Sequence, residues 1–223
     1  MKRLACLHAH YSNVEFIEQA LAAFELELVH YTDPGLIRYM SSEQPFSRVK
    51  ALERTTRQLE WMIDCGADAV LVTCTQYAAL LEESSEKWSV PVIMIDEPFL
   101  DVLCGPEQPQ ILLFTNPGTV EGTMKRLHDF AEAAGKTPQV EVQVIEGSFG
   151  LIMAGKKEAY LKRVSGYMKD LIEAGEQRMI FAAQLSMTEA AEAVGQECSC
   201  EIGNPLKALV PCLTAALGLE RRW

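Results

Sequence analysis

Residues 68–76 read Asp68-Ala69-Val70-Leu71-Val72-Thr73-Cys74-Thr75-Gln76. Ala69 to Thr73 form a continuous run with no apolar–polar alternation, the pattern of a parallel strand covered on both faces. The stretch that follows, Gln76 to Lys87, has a helical composition. Cys74 therefore stands where a buried strand turns into a helix. In open α/β sheets that end of the strand faces the ligand crevice.

The same grammar extends outward in both directions. Leu4–His8 reads as a strand, Asn13–Phe24 as a helix with Ser12 as N-cap, and Glu27–Tyr31 as a second strand. Ser47–Cys65 has a helical period that puts Val49, Leu52, Leu59, Met62 and Ile63 near one face, and Gly66 ends it. Pro91–Ile95 is a strand, with Asp96-Glu97-Pro98 opening a helix. The alternation then repeats: strands at Gln110–Phe114, Val140–Ile145, Met179–Ala183 and Cys200–Ile202, and helices at Gly118–Ala134, Lys156–Ala174, Met187–Val194 and Pro205–Leu217. Strands separated by helices imply parallel sheets built from βαβ units.

An internal repeat underlies this order. Met62-Ile63-Asp64-Cys65-Gly66 matches Leu171-Ile172-Glu173-Ala174-Gly175, an offset of 109 from Gly66 to Gly175. The expectation is an α/β chain of two similar Rossmann-like or flavodoxin-like halves with parallel sheets. They would be related by a pseudo-two-fold axis, with the active site in the cleft between them. Residues 1–97 with the C-terminal helix 205–223 make the first half, and 98–204 the second.

Composition narrows the function. The 223 residues are 48% hydrophobic and 23% charged, an ordinary globular balance. Lys and Arg total 20 against 31 Asp and Glu, a net charge of −11. The densest basic cluster is Arg221-Arg222, so neither nucleic acid nor an anionic membrane is an expected partner. No apolar run reaches the ~18 residues of a membrane span. The N-terminal MKRLACLHAHYS lacks a signal-peptide core. The expected compartment is the cytoplasm, with its seven cysteines reduced.

Cys74 is the leading chemical candidate. The free N–H groups of the following helix would lower a thiol pKa and receive a carboxylate, and Thr73 and Thr75 add hydroxyls. The matching strand end reads Ala182-Ala183-Gln184-Leu185-Ser186. The 109-residue offset pairs Cys74 with Ala183, and a one-residue shift pairs it with Gln184. Gln184 can donate and accept hydrogen bonds but takes up no proton at neutral pH. Ser186 reads as a helix N-cap, or as a hydroxyl that could take part in proton transfer if a base activates it. Thr115-Asn116-Pro117-Gly118-Thr119 joins another strand end to a helix and suits an anion or a simple capped turn. His8, His10, Tyr11 and Ser12 follow the first strand at its crevice end. Cys198-Ser199-Cys200 lacks the paired spacing of a zinc site, no metal site or nucleotide loop is found, and Cys6, Cys65, Cys104 and Cys212 read as core.

Taken together, Asp68–Thr75, Val90–Glu97, the Thr115–Thr119 turn and Ala183–Met187 resemble the aspartate/glutamate racemase superfamily. That superfamily also holds hydantoin racemase, maleate isomerase and arylmalonate decarboxylase. The resemblance covers nearly the whole chain. It implies a cofactor-independent homodimeric enzyme acting on a small carboxylate or amino-acid-like substrate, with a thiol from each half on opposite faces of the substrate carbon. Cys74 matches the first thiol; the second falls on Gln184 or Ala183. The resemblance leaves racemisation, decarboxylation and cis–trans isomerisation open. It places Cys74 and Gln184 at the reacting carbon. His10, Tyr11, Ser12, Thr73, Thr75, Thr115, Asn116, Thr119 and Ser186 would contact substrate. Segments 32–48 and 146–156 are expected to shape specificity.

Overall fold

The computed structural model describes residues 1–40, 47–82, 84 and 86–222. Part of the 32–48 segment, residues 41–46, lies outside the described residues. Two compact units are present, Met1–Pro98 with Leu209–Trp223, and Phe99–Ala208.

In the first unit β1 (Lys2–His8) is followed by α1 (Ser12–Leu21) and β2 (Leu26–Thr32). Then come α2 (Pro34–Met40), α3 (Arg48–Asp64), β3 (Ala69–Val72), α4 (Thr75–Leu81) and β4 (Val92–Met94); α5 (Glu97–Leu103) starts at the end of this stretch and belongs from Phe99 to the second unit. The sheet order is β2-β1-β3-β4, all parallel. Leu4 to Leu7 and all four residues of β3 are buried, as their unbroken apolar runs require. On α3 the buried positions are Ala51, Thr55, Leu59 and Met62, spaced four, four and three, and Ser47 caps the helix by accepting from the Lys50 N–H. Val49 is 67% exposed, outside the expected apolar face, and Cys65 is exposed rather than core. Val49 lies off the Ala51–Thr55–Leu59–Met62 stripe, and Cys65 is the C-cap, past the last residue of α3.

The second unit repeats the plan. β5 (Gln110–Phe114), α6 (Val120–Ala133), β6 (Val140–Val144), α7 (Ser148–Met153), α8 (Lys157–Glu173), β7 (Met179–Ala182), α9 (Thr188–Glu197) and β8 (Ile202–Gly203) follow in order, and α10 (Pro205–Leu217) starts in this unit and belongs from Leu209 to the first. The sheet order is β6-β5-β7-β8, again all parallel. A short 3-10 turn, Pro117–Thr119, precedes α6, and another, Leu185–Met187, precedes α9. The repeated Gly66 and Gly175 have φ of +86° and +80° and close α3 and α8 in the left-handed region that glycine alone enters without strain.

Among the described residues no helix is long and apolar enough to cross a membrane. The tail that carries Arg221 and Arg222 is tied to the first unit. Arg221 bridges Phe24, with its guanidinium 5.9 Å from the ring centroid, and Arg222 N–H donates to the Ala23 carbonyl at 2.7 Å.

Gly203 sits opposite Phe181 in the β7–β8 pairing, and a Cβ at 203 would drive into the buried Phe181 ring. Overpacking of this kind costs about 1–3 kcal/mol or more. Gly203→Ala is expected to lower the melting temperature by several degrees in calorimetry. A variant that melts with the wild type would contradict this packing.

Candidate active site

The end of β3 positions Cys74. Thr73 N–H donates to the Leu7 carbonyl at 3.0 Å and Ile95 N–H to the Val72 carbonyl at 3.0 Å, so the strand is held to its last residue. Cys74 then takes the N-cap position of α4 in extended geometry, and its own carbonyl accepts the first helical bond, from Ala78 N–H at 2.9 Å.

The sulfur is half-buried, and its pKa lies above the ordinary thiol value. Burial is the larger cause. The N–H groups of Tyr77 and Gln76 pull the value back down, and the Asp96 carboxylate pushes it up. The N–H groups lie near the sulfur without closing a cap hydrogen bond, so they offset desolvation only in part. This corrects the expected lowering: the resting group is a thiol, a proton donor first and a nucleophile only after losing its proton.

Behind Cys74 runs a chain of hydrogen bonds. Thr73 Oγ1 donates to the Leu7 carbonyl at 3.2 Å, so toward His8 Nδ1, at 2.9 Å, it accepts. Asn13 Nδ2 also donates to Thr73 Oγ1, at 3.3 Å. His8 is fully buried; burial, and then the adjacent His30, push its pKa down to about 4, which leaves it neutral. With its proton assigned to Nδ1, His8 Nε2 accepts from His30 Nδ1, at 2.8 Å. Asn13, His8 and His30 make Thr73 a structural link; the threonine is buried.

The other candidates of this unit are exposed. Thr75 begins α4 at the surface. Ser12 is the first residue of α1 rather than its N-cap, which is Tyr11. The capping acceptor is instead His10 Nδ1, which receives Ser12 N–H at 3.2 Å and lies 2.8 Å from Ser12 Oγ. The His10 and Tyr11 rings tilt against each other with centroids 4.3 Å apart, and Tyr11 is 73% exposed. His10, Tyr11 and Ser12 thus form one local group just past the C-terminal end of β1.

In the second unit the strand register settles the equivalence that the repeat left open. Val72 pairs with Leu7, and Ala182 pairs with Leu113. Thr73 N–H and Ala183 N–H then make the same next bond, to Leu7 and Leu113. The offset here is 110, from Val72 to Ala182, so Gln184 stands where Cys74 stands.

Gln184 is held by the Thr115–Thr119 turn. Its Oε1 accepts from Thr115 N–H at 2.7 Å, Thr115 Oγ1 at 2.7 Å and Asn116 N–H at 3.1 Å. Its Nε2 donates to Thr119 Oγ1 at 3.2 Å, which itself donates to the Asn116 carbonyl at 2.9 Å. Tyr160, fully buried, links Thr115 Oγ1 (3.3 Å) to Ser186 Oγ (2.8 Å). Thr115, Asn116, Thr119, Gln184 and Ser186 are therefore brought together as one network, and the donors that suit an anion already surround the Gln184 amide oxygen. Tyr160 and His30 carry no local sequence signal, because only the fold brings them to these networks.

No protein-family model matches the sequence, and no curated protein matches it in sequence. Solved structures do match in fold. The aspartate racemase of Picrophilus torridus aligns over 100% of this chain and 96% of its own, with a TM-score of 0.70 and 12% identity. The allantoin racemase of Klebsiella pneumoniae covers 100% of this chain and 91% of its own, at TM-score 0.69 and 17% identity. A glutamate racemase isoform of Bacillus anthracis covers 97% and 82%, at 0.63 and 14%. The chain thus has the two-unit α/β fold of the aspartate, glutamate and allantoin racemases.

Proposed function

We propose that this chain is a cofactor-independent, racemase-like enzyme of the Asp/Glu racemase superfamily, active as a cytoplasmic homodimer on a small carboxylate. Cys74 is its proton-transfer group. The observation that carries the reading is the place of Cys74: a thiol just past the end of β3, at the N-cap of α4, with the N–H groups of Gln76 and Tyr77 beside the sulfur and burial raising its pKa. A thiol so placed protonates a carbanion next to a carboxylate without prior activation. Developing negative charge on sulfur is then met by the two N–H groups. His10, Tyr11, Ser12 and Thr75 are the exposed polar groups nearest in sequence to the two strand ends, and are assigned to substrate carboxylate binding.

Gln184 supplies no second acid, so the reaction is one-thiol chemistry: the Cys74 thiol protonates the carbanion left by decarboxylation and regains its proton from solvent, or, after losing that proton to solvent, adds to an activated alkene. In that scheme Gln184 is a positioning residue that holds the Thr115–Thr119 turn. A second reading, a non-catalytic binder of small acids, is favoured by one observation, that all of Gln184's polar atoms are spent internally.

The test is incubation with amino acids, hydantoins, arylmalonates and maleate, followed by NMR. Turnover of one class is expected. Saturable carboxylate binding without turnover of any would favour the binder. Sedimentation velocity at micromolar concentration checks the dimer.

The pH profile separates the two roles of Cys74. As a proton donor it keeps its activity through neutral pH and loses it as pH rises through the thiol pKa, which burial has raised above the ordinary thiol range. As a base it gains activity over the same interval. The donor profile is expected.

A further inference from the structure

Three metal-ligand side chains converge on one face of the first unit's sheet, apart from Cys74. Cys6 and His8 lie two residues apart on β1 and so point to the same side. His30 on β2 is the register partner of Cys6. The Cys6 sulfur and a nitrogen of each imidazole all lie within 4.8 Å of one another. Cys6 and His8 are fully buried, and the His30 side chain keeps 16% exposure, which leaves one open approach.

We propose that Cys6, His8 and His30 form a binding site for a borderline-soft transition-metal ion of the zinc class. One thiolate and two imidazoles are the donor set such ions prefer. Three protein ligands leave a tetrahedral ion one position for water or a small anion.

The surrounding hydrogen bonds fit this use. His8 already has its Nδ1 proton bonded to Thr73 Oγ1, so its Nε2 carries the lone pair that now accepts from His30 Nδ1 and would ligate the ion in its place. A ligating histidine usually has this outer bond from its other nitrogen. His30 Nε2 is buried without a hydrogen-bond partner, 3.8 Å from the Glu18 carboxylate. That orphaned atom is the second, independent sign. When His30 binds the ion through Nδ1, its proton moves to Nε2 and gains Glu18 as acceptor. The result is a carboxylate–histidine–metal arrangement.

The geometry needs only a small opening. His8 Nε2 and His30 Nδ1 are 2.8 Å apart. Two nitrogens on a tetrahedral ion at about 2.0–2.1 Å stand about 3.3 Å apart. Binding exchanges one imidazole–imidazole hydrogen bond for two metal–nitrogen bonds and one metal–sulfur bond. The Cys6 thiol proton leaves to solvent, and the His30 proton is retained on the other nitrogen.

The site was hidden in the sequence because Cys6 and His30 are 24 residues apart and meet only through strand register. Its failure would leave the Cys74 reading intact, since Cys74 is not a ligand.

The experiment titrates the full chain, stripped by chelator and dialysed, with Co2+ and then Zn2+. Wild type is expected to bind one Co2+ with a sulfur-to-cobalt charge-transfer band in the near ultraviolet, which Zn2+ abolishes. Cys6→Ser removes the band, and His30→Gln weakens binding by more than about a hundredfold. Should Cys6→Ser fail to fold, the partly exposed His30→Gln and the surface change Glu18→Gln carry the test, with Glu18→Gln weakening binding about tenfold or more. Absence of saturable binding by wild type would overturn the proposal. So would a band that survives Cys6→Ser and disappears in Cys74→Ala, or binding unchanged in His30→Gln.

Discussion

Cys74→Ala is expected to lower turnover by about 10²–10⁴-fold, the usual contribution of a positioned proton-transfer group. The fold should survive the change. Cys74 is half-buried at a helix N-cap where its side chain closes no hydrogen bond, so its removal leaves no polar partner stranded. Loss of rate with unchanged melting and unchanged carboxylate binding assigns the residue to the chemical step. Cys74→Ser is the sharper comparison. It keeps a hydroxyl of similar size, but one far less acidic than a thiol. Its rate should fall nearly as far as that of Cys74→Ala. A serine variant with wild-type rate would mean that the group only binds.

Gln184→Leu carries the largest expected effect on stability. Leucine fills similar space and accepts nothing. Thr115 N–H, Thr115 Oγ1 and Asn116 N–H then lose their shared acceptor, and Thr119 loses a donor. Each buried polar group left unmatched costs about 1–3 kcal/mol. Gln184 and Asn116 are only partly buried, so water replaces some of the loss. The net expectation is about 3 kcal/mol, or about 6–12 °C in melting temperature for a chain of this size. Gln184→Glu retains the acceptor oxygen and should recover most of the difference. Equal melting of Gln184→Leu and wild type, measured by calorimetry, would show that the network holds little.

These two residues also mark the limit of what the sequence discloses. The buried strands were legible because their apolar runs are unbroken: Gln110–Phe114 matches β5 to the residue, and Pro205–Leu217 matches α10. Helices with caps and a 3.6-residue period were legible too. The short helices α2 and α7 were not, because seven and six residues are too few to show a helical period. The expected helix to Lys87 stops at Leu81, and residues 83 and 85 lie outside the described residues. The strand end that carries Cys74 could be read; its titration could not. The desolvation of the sulfur and the approach of Asp96 are tertiary facts. Likewise, the repeat gave Ala183 and Gln184 as alternatives, and only the β5–β7 register distinguishes them. Ser12 as a cap was a sound local inference, displaced because α1 starts one residue earlier: Ser12 is its first residue, and the Ser12 N–H donates to His10 Nδ1.

The central claim is that Cys74 moves a proton at a carbon next to a carboxylate. Its most direct test is deuterium incorporation. Wild type and Cys74→Ala are incubated side by side in deuterated water with the substrate class identified by turnover, and the α-carbon is followed by NMR. The account predicts deuterium at that carbon with wild type, on one stereochemical face only, and none above background with Cys74→Ala. Equal incorporation by the two proteins would contradict it.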